Sequence, residues 1–122
     1  MEAHNGGMAR PTIRIRRVYA AEEPDEGLRV LIDRLWPRGV RRETLAMDEW
    51  AKELAPSSEL RTWYGHRPER FAEFRERYRA ELSGNPAVHR LAHTAGTVTL
   101  LTATKDLEHS HAVVLAELLG ED

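Results

Sequence analysis

Charged and aromatic side chains cluster directly after an apolar run in the first third of the chain. The run, residues 28–32, ends at Asp33, and Arg34, Trp36 and Arg38 follow within five residues. A nearly unbroken apolar run is typical of a strand that is buried on both faces of a sheet. Open α/β sheets bind their ligands at the carboxyl ends of such strands. The pattern therefore predicts a site at this strand end, and the two guanidinium groups favour a carboxylate or phosphate ligand.

A second polar cluster follows a β-branched, apolar segment at residues 97–103. Lys105, Asp106, His109 and His111 come next in the chain. If the two apolar segments are neighbouring parallel strands, both polar clusters lie at the same edge of the sheet. A helix that begins in the second cluster would add free backbone N–H groups and the positive end of its dipole. Such an edge would suit a small anion, with phosphate and carboxylate as the candidate groups.

This anion hypothesis gives each group a role. His111 or His109 would serve as acid or base, and Asp33 would be the orienting carboxylate. The ligand would contact Arg34, Trp36, Arg38, His66 and Lys105. In the alternative, Trp36 packs in the core and His66 is a cation stabilised at a helix end. The arginines would then only fix the loop by pairing with Asp33, Asp48 or Asp106.

A transition-metal site is a second hypothesis for the histidine cluster. Asp106, His109 and His111, with His66 as a further candidate, combine carboxylate and imidazole, which suit zinc, iron or nickel. On a helix, residues two apart point about 200° away from each other, so Asp106 and His109 share a face better than the two histidines do. His111 could instead turn inward and form a hydrogen bond in the core. A structural role for both histidines therefore stays open.

A third hypothesis is an adaptor that binds nucleic acid or protein through arginines. Residues 67–79 hold five arginines, but glutamates interleave with them, and Glu73 and Arg77 have the i,i+4 spacing of a helical ion pair. This pattern is typical of a solvated helix surface and makes nucleic acid an unlikely partner. A stronger basic patch would form if Arg14, Arg16, Arg17, Arg38, Arg41 and Arg42 converged.

Length and composition set the outer limits. The 122 residues, 41% hydrophobic and 31% charged, fit one globular domain, for which we expect residues 12–120 after a disordered tail at 1–11. No apolar stretch reaches the roughly 20 residues of a membrane span, and no signal peptide is evident, so we expect a cytoplasmic protein with no membrane partner. The absence of cysteine excludes disulfides and thiolate chemistry. The net charge of −2 argues against a general polyanion binder.

The elements that must position these groups follow from periodicity and caps. Strands are expected at residues 13–18, 28–33 and 97–103. Helices are expected from Ser57 to Gly65, from Pro68 to Gly84, from Asn85 onward, and over residues 107–119 with Asp106 as the N-cap. Residues 41–56 are ambiguous, because Leu45, Trp50 and Leu54 could face a core from a short helix. Together these elements predict an α/β fold: one three-layer-like domain with a small, at least partly parallel sheet flanked by helices.

Several motifs resemble the YeaO-like branch of the domain-of-unknown-function 488 family. They lie at residues 30–39, 53–57, 60–66, 71–82 and 105–115, and the resemblance extends from about Ile13 to Leu119. It implies a bacterial α/β protein of a family whose biochemical function is not established. Arg67 stands where an Asp is common before the Pro of the His-x-Pro turn, which removes a cap.

The resemblance also bears on the second polar cluster. Longer relatives carry Cys-His-Arg in the final helix, and the matching positions here are Ser110, His111 and Ala112. Thiol chemistry therefore does not carry over to this chain. The histidine of the motif is retained as His111. Those relatives also carry an Asp-Val-Arg motif after the strand, at the place of Asp33 and Arg34 in this chain. This position agrees with a site at the strand ends.

Overall fold

The strands form one parallel sheet. In the computed structural model, which describes residues 10–121, the strands are β1 (Thr12–Arg17), β2 (Leu28–Leu31), β3 (Glu49–Trp50) and β4 (Thr97–Thr102). They pair in the order β1-β4-β2-β3, and every neighbouring pair is parallel. The predicted α/β fold is confirmed, and the two apolar segments that precede the polar clusters, β2 and β4, are neighbours.

Three α-helices lie between β3 and β4 in the chain, and a fourth follows β4: α1 (Ser58–Tyr64), α2 (Phe71–Leu82), α3 (Pro86–Ala92) and α4 (His111–Glu121). Short 3₁₀ turns lie at Lys52–Leu54, Pro68–Arg70 and Leu107–His109. The side chain of Ser57 caps α1 by accepting from the Leu60 amide, and Asn85 caps α3 through the Ala87 amide. The predicted N-cap at Ser57 and the predicted start of a helix at Asn85 are confirmed. Arg67 supplies no side-chain cap to the turn that precedes α2.

The two faces of the sheet are covered by different kinds of structure. Successive side chains of a strand point to opposite faces. Val30 and Leu100 accordingly pack against the α-helices, and Leu31 and Leu101 pack on the other face. That other face is covered by the chain that follows β2, which contributes Trp36, Val40, Leu45, Met47 and Trp50. One outer layer is therefore helical, and the other is the largely irregular segment of residues 34–47.

Residues 41–56, which the sequence leaves ambiguous, contain no α-helix; the short helix considered for them is not what forms. Backbone hydrogen bonds pair this segment with β2: the Asp48 amide donates to the Arg29 carbonyl, and the Ala51 amide donates to the Leu31 carbonyl, both at 2.8 Å. These contacts are distant in sequence, and they select a strand over a helix. Trp50 and Leu54 pack on opposite faces of the sheet.

The last helix begins later than its predicted start. Asp106 does cap a helical turn, because its Oδ1 accepts from the His109 amide, but that turn is the short 3₁₀ turn of residues 107–109. Ser110 is extended, with φ −105° and ψ 163°, and α4 starts at His111. His109 and His111 therefore belong to different elements, and the helical spacing argument applied to them was wrong.

The chain leaves β2 and β4 towards opposite faces of the sheet. After β2 it crosses to the irregular layer, whereas after β4 it passes through the 3₁₀ turn into α4 on the helical layer. Adjacent parallel strands whose exits diverge in this way leave a crevice at their carboxyl ends, which is where open α/β sheets bind ligands. Both polar clusters lie at this crevice.

Of the predicted tail at residues 1–11, residues 1–9 lie outside the described residues. Over residues 10–121, no helix combines the length and the apolar character that crossing a bilayer would require.

Candidate functional site

A cavity of about 730 Å³ opens where β2 and β4 end. We call it the edge cavity. Its walls come from the segment after β2, from the helical layer and from the segment after β4. The lining residues are Asp33, Arg34, Leu35, Trp36, Pro37, Arg38, Ala55, Pro56, Arg61, Thr62, Tyr64, His66, Phe74, Ala103, Thr104, Lys105, Asp106, His109, Ser110 and His111. All nine candidate site residues are among them, so the structure brings the two polar clusters and His66 together.

Asp33 joins the ends of the two strands. Its Oδ1 accepts from the Thr102 hydroxyl at 2.7 Å, and its Oδ2 accepts from the Ala103 amide at 2.8 Å. Its own carbonyl accepts from the indole N–H of Trp50 at 2.8 Å. The carboxylate is thus held by the end of β4, and the backbone of Asp33 is held by Trp50 of β3, so the side chain cannot turn freely.

His111 extends this network into the helical layer. Its Nε2 lies 3.2 Å from Asp33 Oδ1 and 3.1 Å from the carbonyl oxygen of Ile32. Both oxygens are acceptors, so Nε2 carries a proton and donates to them. Nδ1 has no hydrogen-bond partner among residues 10–121, and in the neutral ring it is an acceptor. The side chain is 11% exposed and lines the edge cavity.

Electrostatics keep Asp33 ionised. Burial alone would raise the pKa of its carboxyl group. The hydrogen bond and charge of His111, with the bonds from Ala103 and Thr102, outweigh that effect and lower the pKa below its ordinary value. The pair therefore has the arrangement in which a carboxylate fixes the orientation and tautomer of an imidazole.

His109 forms a separate pair with Asp106 at the rim of the cavity. Its Nδ1 lies 2.8 Å from Asp106 Oδ2, and this hydrogen bond is the main reason that the pKa of Asp106 is lowered. The hydroxyl of Tyr64 donates to the His109 carbonyl at 2.7 Å. Asp106 and His109 also hold the 3₁₀ turn, so their observed contacts are those of a structural pair.

The proposed metal ligands are divided between these two pairs. Asp106 and His109 contact each other, whereas His111 is directed at Asp33 and Ile32. Across the described residues, no group of three His, Asp or Glu side chains is arranged to hold a metal ion. The cluster therefore gives no support to a metal centre.

The cavity has an excess of positive charge. Arg34, Arg38, Arg61 and Lys105 line it, against the two carboxylates Asp33 and Asp106. Arg34 donates to a neutral group, the Pro56 carbonyl, at 3.1 Å from Nη2. Within residues 10–121, none of the four cations forms an ion pair.

Arg34 and Arg38 do not fix the loop through ion pairs, which was the alternative considered for them. Each of the carboxylates considered for them has another partner. Asp33 is bound by His111, Asp106 by His109, and Asp48 by the Arg29 amide at 2.8 Å.

Trp36 packs in the core and also lines the edge cavity, so both of the positions considered for it are observed. Its indole N–H donates to the Val40 carbonyl at 2.6 Å, and its ring packs edge-on against Trp50 with centroids 5.3 Å apart. Arg42 lies over both rings. The ring also lines the edge cavity. Trp36 is therefore a partly buried wall that anchors the loop carrying Arg34 and Arg38.

His66 has an unusual backbone. It follows Gly65, the left-handed C-cap of α1, and has a φ of +57° itself; no other non-glycine residue among 10–121 has a positive φ. A left-handed conformation costs a non-glycine residue on the order of 1–2 kcal/mol. This strain turns an exposed imidazole towards the edge cavity, beside the ring of Tyr64 at a centroid distance of 6.4 Å.

Sequence reasoning missed several lining residues. Arg61 lies on α1 and Tyr64 at its end, and both were assigned only to a helix that packs on the core. Ser110, which is 2% exposed, uses its hydroxyl to hold the Leu107 carbonyl at 2.7 Å. No local motif marks Arg61, because its place in the cavity depends on how α1 docks on the sheet.

The other arginine-rich surface is neutralised by pairing. Arg77 binds Glu73 as the spacing predicted, and Arg75 and Arg79 bind Glu117 and Glu121 of α4. These contacts tie α2 to α4. In the second patch considered, Arg16 pairs with Glu23 and Glu26, and Arg41 lies 3.9 Å from Glu43. The paired surface of α2 therefore gives no support to an adaptor that binds nucleic acid. In the second patch, Arg14, Arg17, Arg38 and Arg42 form no ion pair among residues 10–121.

Comparisons with known proteins agree on a single family. A family model described as the inactive DUF488-N3 subclade matches residues 12–122. An uncharacterized protein of Mycobacterium tuberculosis H37Rv is 49% identical over 116 residues, covering 93% of this chain and 98% of the relative. The uncharacterized protein YeaO of Escherichia coli K12 is 44% identical over 110 residues, covering 88% and 96%. No solved structure gives a significant match.

Proposed function

Because this chain belongs to the inactive DUF488-N3 subclade, we propose that it binds a small anionic ligand in the edge cavity without transforming it. The description of the subclade and the absence of cysteine from the chain favour binding over turnover. The similarity to YeaO of Escherichia coli assigns no ligand.

The observation that carries the proposal is the charge of the cavity. Four cations line it without an ionic partner among residues 10–121, although the whole chain has a net charge of −2. On the helical layer, by contrast, Arg75, Arg77 and Arg79 all pair with glutamate. An anion that enters would gain charge-assisted hydrogen bonds, which contribute about 1.5–3 kcal/mol each.

The surroundings of Arg34 favour a bound ligand over bulk solvent. Arg34 is half-buried and is held by the Pro56 carbonyl, so its guanidinium is fixed before a ligand arrives. Ordering of the side chain in advance lowers the entropy cost of binding. The two carboxylates of the cavity are already engaged by imidazoles, so they repel an anion less than free carboxylates would.

The chain offers a matched pair of variants as a test. It has two lysines: Lys105 lines the edge cavity, and Lys52 lies over the Trp50 ring. Lys105→Gln and Lys52→Gln make the same change in charge. Isothermal titration with inorganic phosphate and with citrate, at low ionic strength, should show binding that Lys105→Gln weakens roughly tenfold, the value of a charge-assisted hydrogen bond.

Lys52→Gln should leave the affinity within about twofold. Equal losses in both variants would mean that the anion responds only to overall charge and would contradict the proposal. Absence of any phosphate or citrate binding by the wild-type protein would contradict it as well. Melting temperatures of both variants establish that each is folded.

A further inference from the structure

Resting on the proposed function, we infer that the edge cavity takes a nucleotide-sized phosphomonoester. The cations hold its phosphate, the ring of His66 and the side chain of Leu35 contact its base, and His111 Nδ1 accepts a hydrogen bond from a sugar hydroxyl.

Size is the first argument. A volume of about 730 Å³ lies in the range of roughly 300–1,000 Å³ found for pockets that bury a drug-sized molecule. A phosphate or acetate ion is only a few times larger than a water molecule, whose share of liquid volume is about 30 Å³. The cavity therefore has room for a body attached to the anionic group.

The second argument is the apolar surface at the rim. Leu35 is 66% exposed and lines the cavity; the other large hydrophobic residue exposed within residues 10–121 is Tyr19. An exposed leucine at the mouth of a charged cavity would be covered by an uncharged, apolar part of a ligand. A phosphorylated sugar alone has no such part, whereas a nucleobase does.

The third argument is the strained position of His66. Backbone strain of this kind persists where the surrounding structure requires it, and it clusters at ligand sites. Here it directs an exposed ring to the cavity, where the ring of Tyr64 is supported from behind by stacking on Phe74, with centroids 4.5 Å apart. Stacking of a base on an aromatic ring contributes about 1–3 kcal/mol.

The fourth argument is the unpaired ring nitrogen of His111. Nε2 is fixed by Asp33 and Ile32, so in the neutral ring Nδ1 is an acceptor with no partner among the described residues. A phosphate ion at neutral pH offers few donors to such a group, but the hydroxyls of a ribose are good donors. The acceptor thus favours a ligand that carries a hydroxylated sugar.

The experiment compares four probes by isothermal titration of the full chain: inorganic phosphate, ribose 5-phosphate, adenosine and adenosine 5′-monophosphate. We expect the monophosphate to bind at least tenfold more tightly than ribose 5-phosphate, and ribose 5-phosphate to bind more tightly than phosphate. His66→Asn keeps a residue that tolerates positive φ, and Leu35→Ser changes an exposed position. Both should abolish the advantage of the monophosphate while leaving ribose 5-phosphate within about twofold.

The possible outcomes distinguish failure of the nucleotide assignment from failure of the anion site. If the monophosphate binds no more tightly than ribose 5-phosphate, or if both variants leave its advantage intact, the nucleotide assignment is overturned while the anion site stands. If none of the phosphate-bearing probes binds, the proposed anion-binding function and the nucleotide assignment both fail. His66→Phe, which restores a ring, should recover part of the advantage that His66→Asn loses, and failure to do so would exclude stacking on residue 66.

Discussion

The imidazole of His111 and the carboxylate of Asp33 connect the start of α4 to the end of β2, with Nε2 3.2 Å from Oδ1. The two residues are 78 positions apart in sequence: Asp33 follows the buried residues at the end of β2, and His111 is the first residue of α4. Because Asp33 is also bound by Thr102 and Ala103, one carboxylate holds the strand ends and the helix start in register. The edge cavity is built around this contact.

Replacing Asp33 with asparagine should destabilise the protein in a pH-dependent way. The folded-state pKa of Asp33 is below the ordinary value of 3.8, so the ionised group stabilises the fold above that pH, and this contribution is lost as the pH falls through the folded-state pKa. Urea unfolding of Asp33→Asn should give a loss of about 1.5–3 kcal/mol at neutral pH. The gap from wild type should be clearly smaller at about pH 3 than at about pH 5.

Asp106→Asn is the control for that measurement. Asp106 also accepts from a histidine, but its side chain is 52% exposed. Its loss should change the free energy of unfolding less than the loss of Asp33. Equal effects of the two substitutions would show that burial of the Asp33–His111 pair has no energetic consequence.

Tyr64→Phe should destabilise the wall of the edge cavity. The hydroxyl donates to the His109 carbonyl, and this bond ties the end of α1 to the 3₁₀ turn after β4. Loss of a bond between neutral groups costs about 0.5–1.5 kcal/mol. Tyr19→Phe removes a similar bond to the Arg38 carbonyl at a residue that is 48% exposed, and it should cost less. Thermal unfolding of both variants makes the comparison; a larger loss for Tyr19→Phe would contradict it.

Gly27→Ala should be far more damaging than Gly84→Ala. Both glycines have positive φ, +62° and +76°, so both substitutions carry backbone strain of about 1–2 kcal/mol. A Cβ at Gly27 would lie 2.2 Å from the Thr97 carbonyl oxygen, whereas nothing lies within 4 Å of one at Gly84. The overlap should bring the loss at Gly27 to roughly 2–5 kcal/mol. Denaturant midpoints of the two variants would expose the difference, and similar midpoints would mean that β4 shifts without cost.

Arg29→Met should be rescued in part by a second substitution. The Arg29 and Glu26 side chains are 4% and 1% exposed and are joined at 2.8 Å, so removing Arg29 leaves a buried carboxylate with poorer compensation. We expect a loss of about 3–5 kcal/mol. The double variant Glu26→Gln/Arg29→Met should lose less than the sum of the two single losses, by about 0.5–3 kcal/mol. Strict additivity in a double-mutant cycle would contradict a coupled pair.

The features that could be predicted from sequence are those fixed by neighbours in the chain. Ser57 and Asn85 cap helices through bonds that span two or three residues, and an apolar run that ends at Asp33 marks a buried strand within a few positions. The site followed from the same logic, because two strand ends carried polar clusters. Their adjacency was conditional on strand order, which no local pattern determines.

The features that sequence reasoning missed depend on distant partners. A short helix was left open for the segment that holds Leu45, Trp50 and Leu54, but pairing with β2 makes the part around Trp50 a strand. Asp106 was identified correctly as a cap, yet extended Ser110 separates the capped turn from α4. Arg61 reaches the cavity only because α1 docks where it does.

The strand order also determines how this chain can fold. β1 and β2 are consecutive in sequence but do not pair with each other; each pairs with β4, which lies between them and begins only at Thr97. The centre of the sheet therefore cannot assemble until most of the chain has been synthesised. Contacts of such large sequence separation slow folding, and the apolar edges of β1 and β2 stay exposed until β4 inserts. A nascent chain that stops before Thr97 has the strands of this sheet without the strand that joins them.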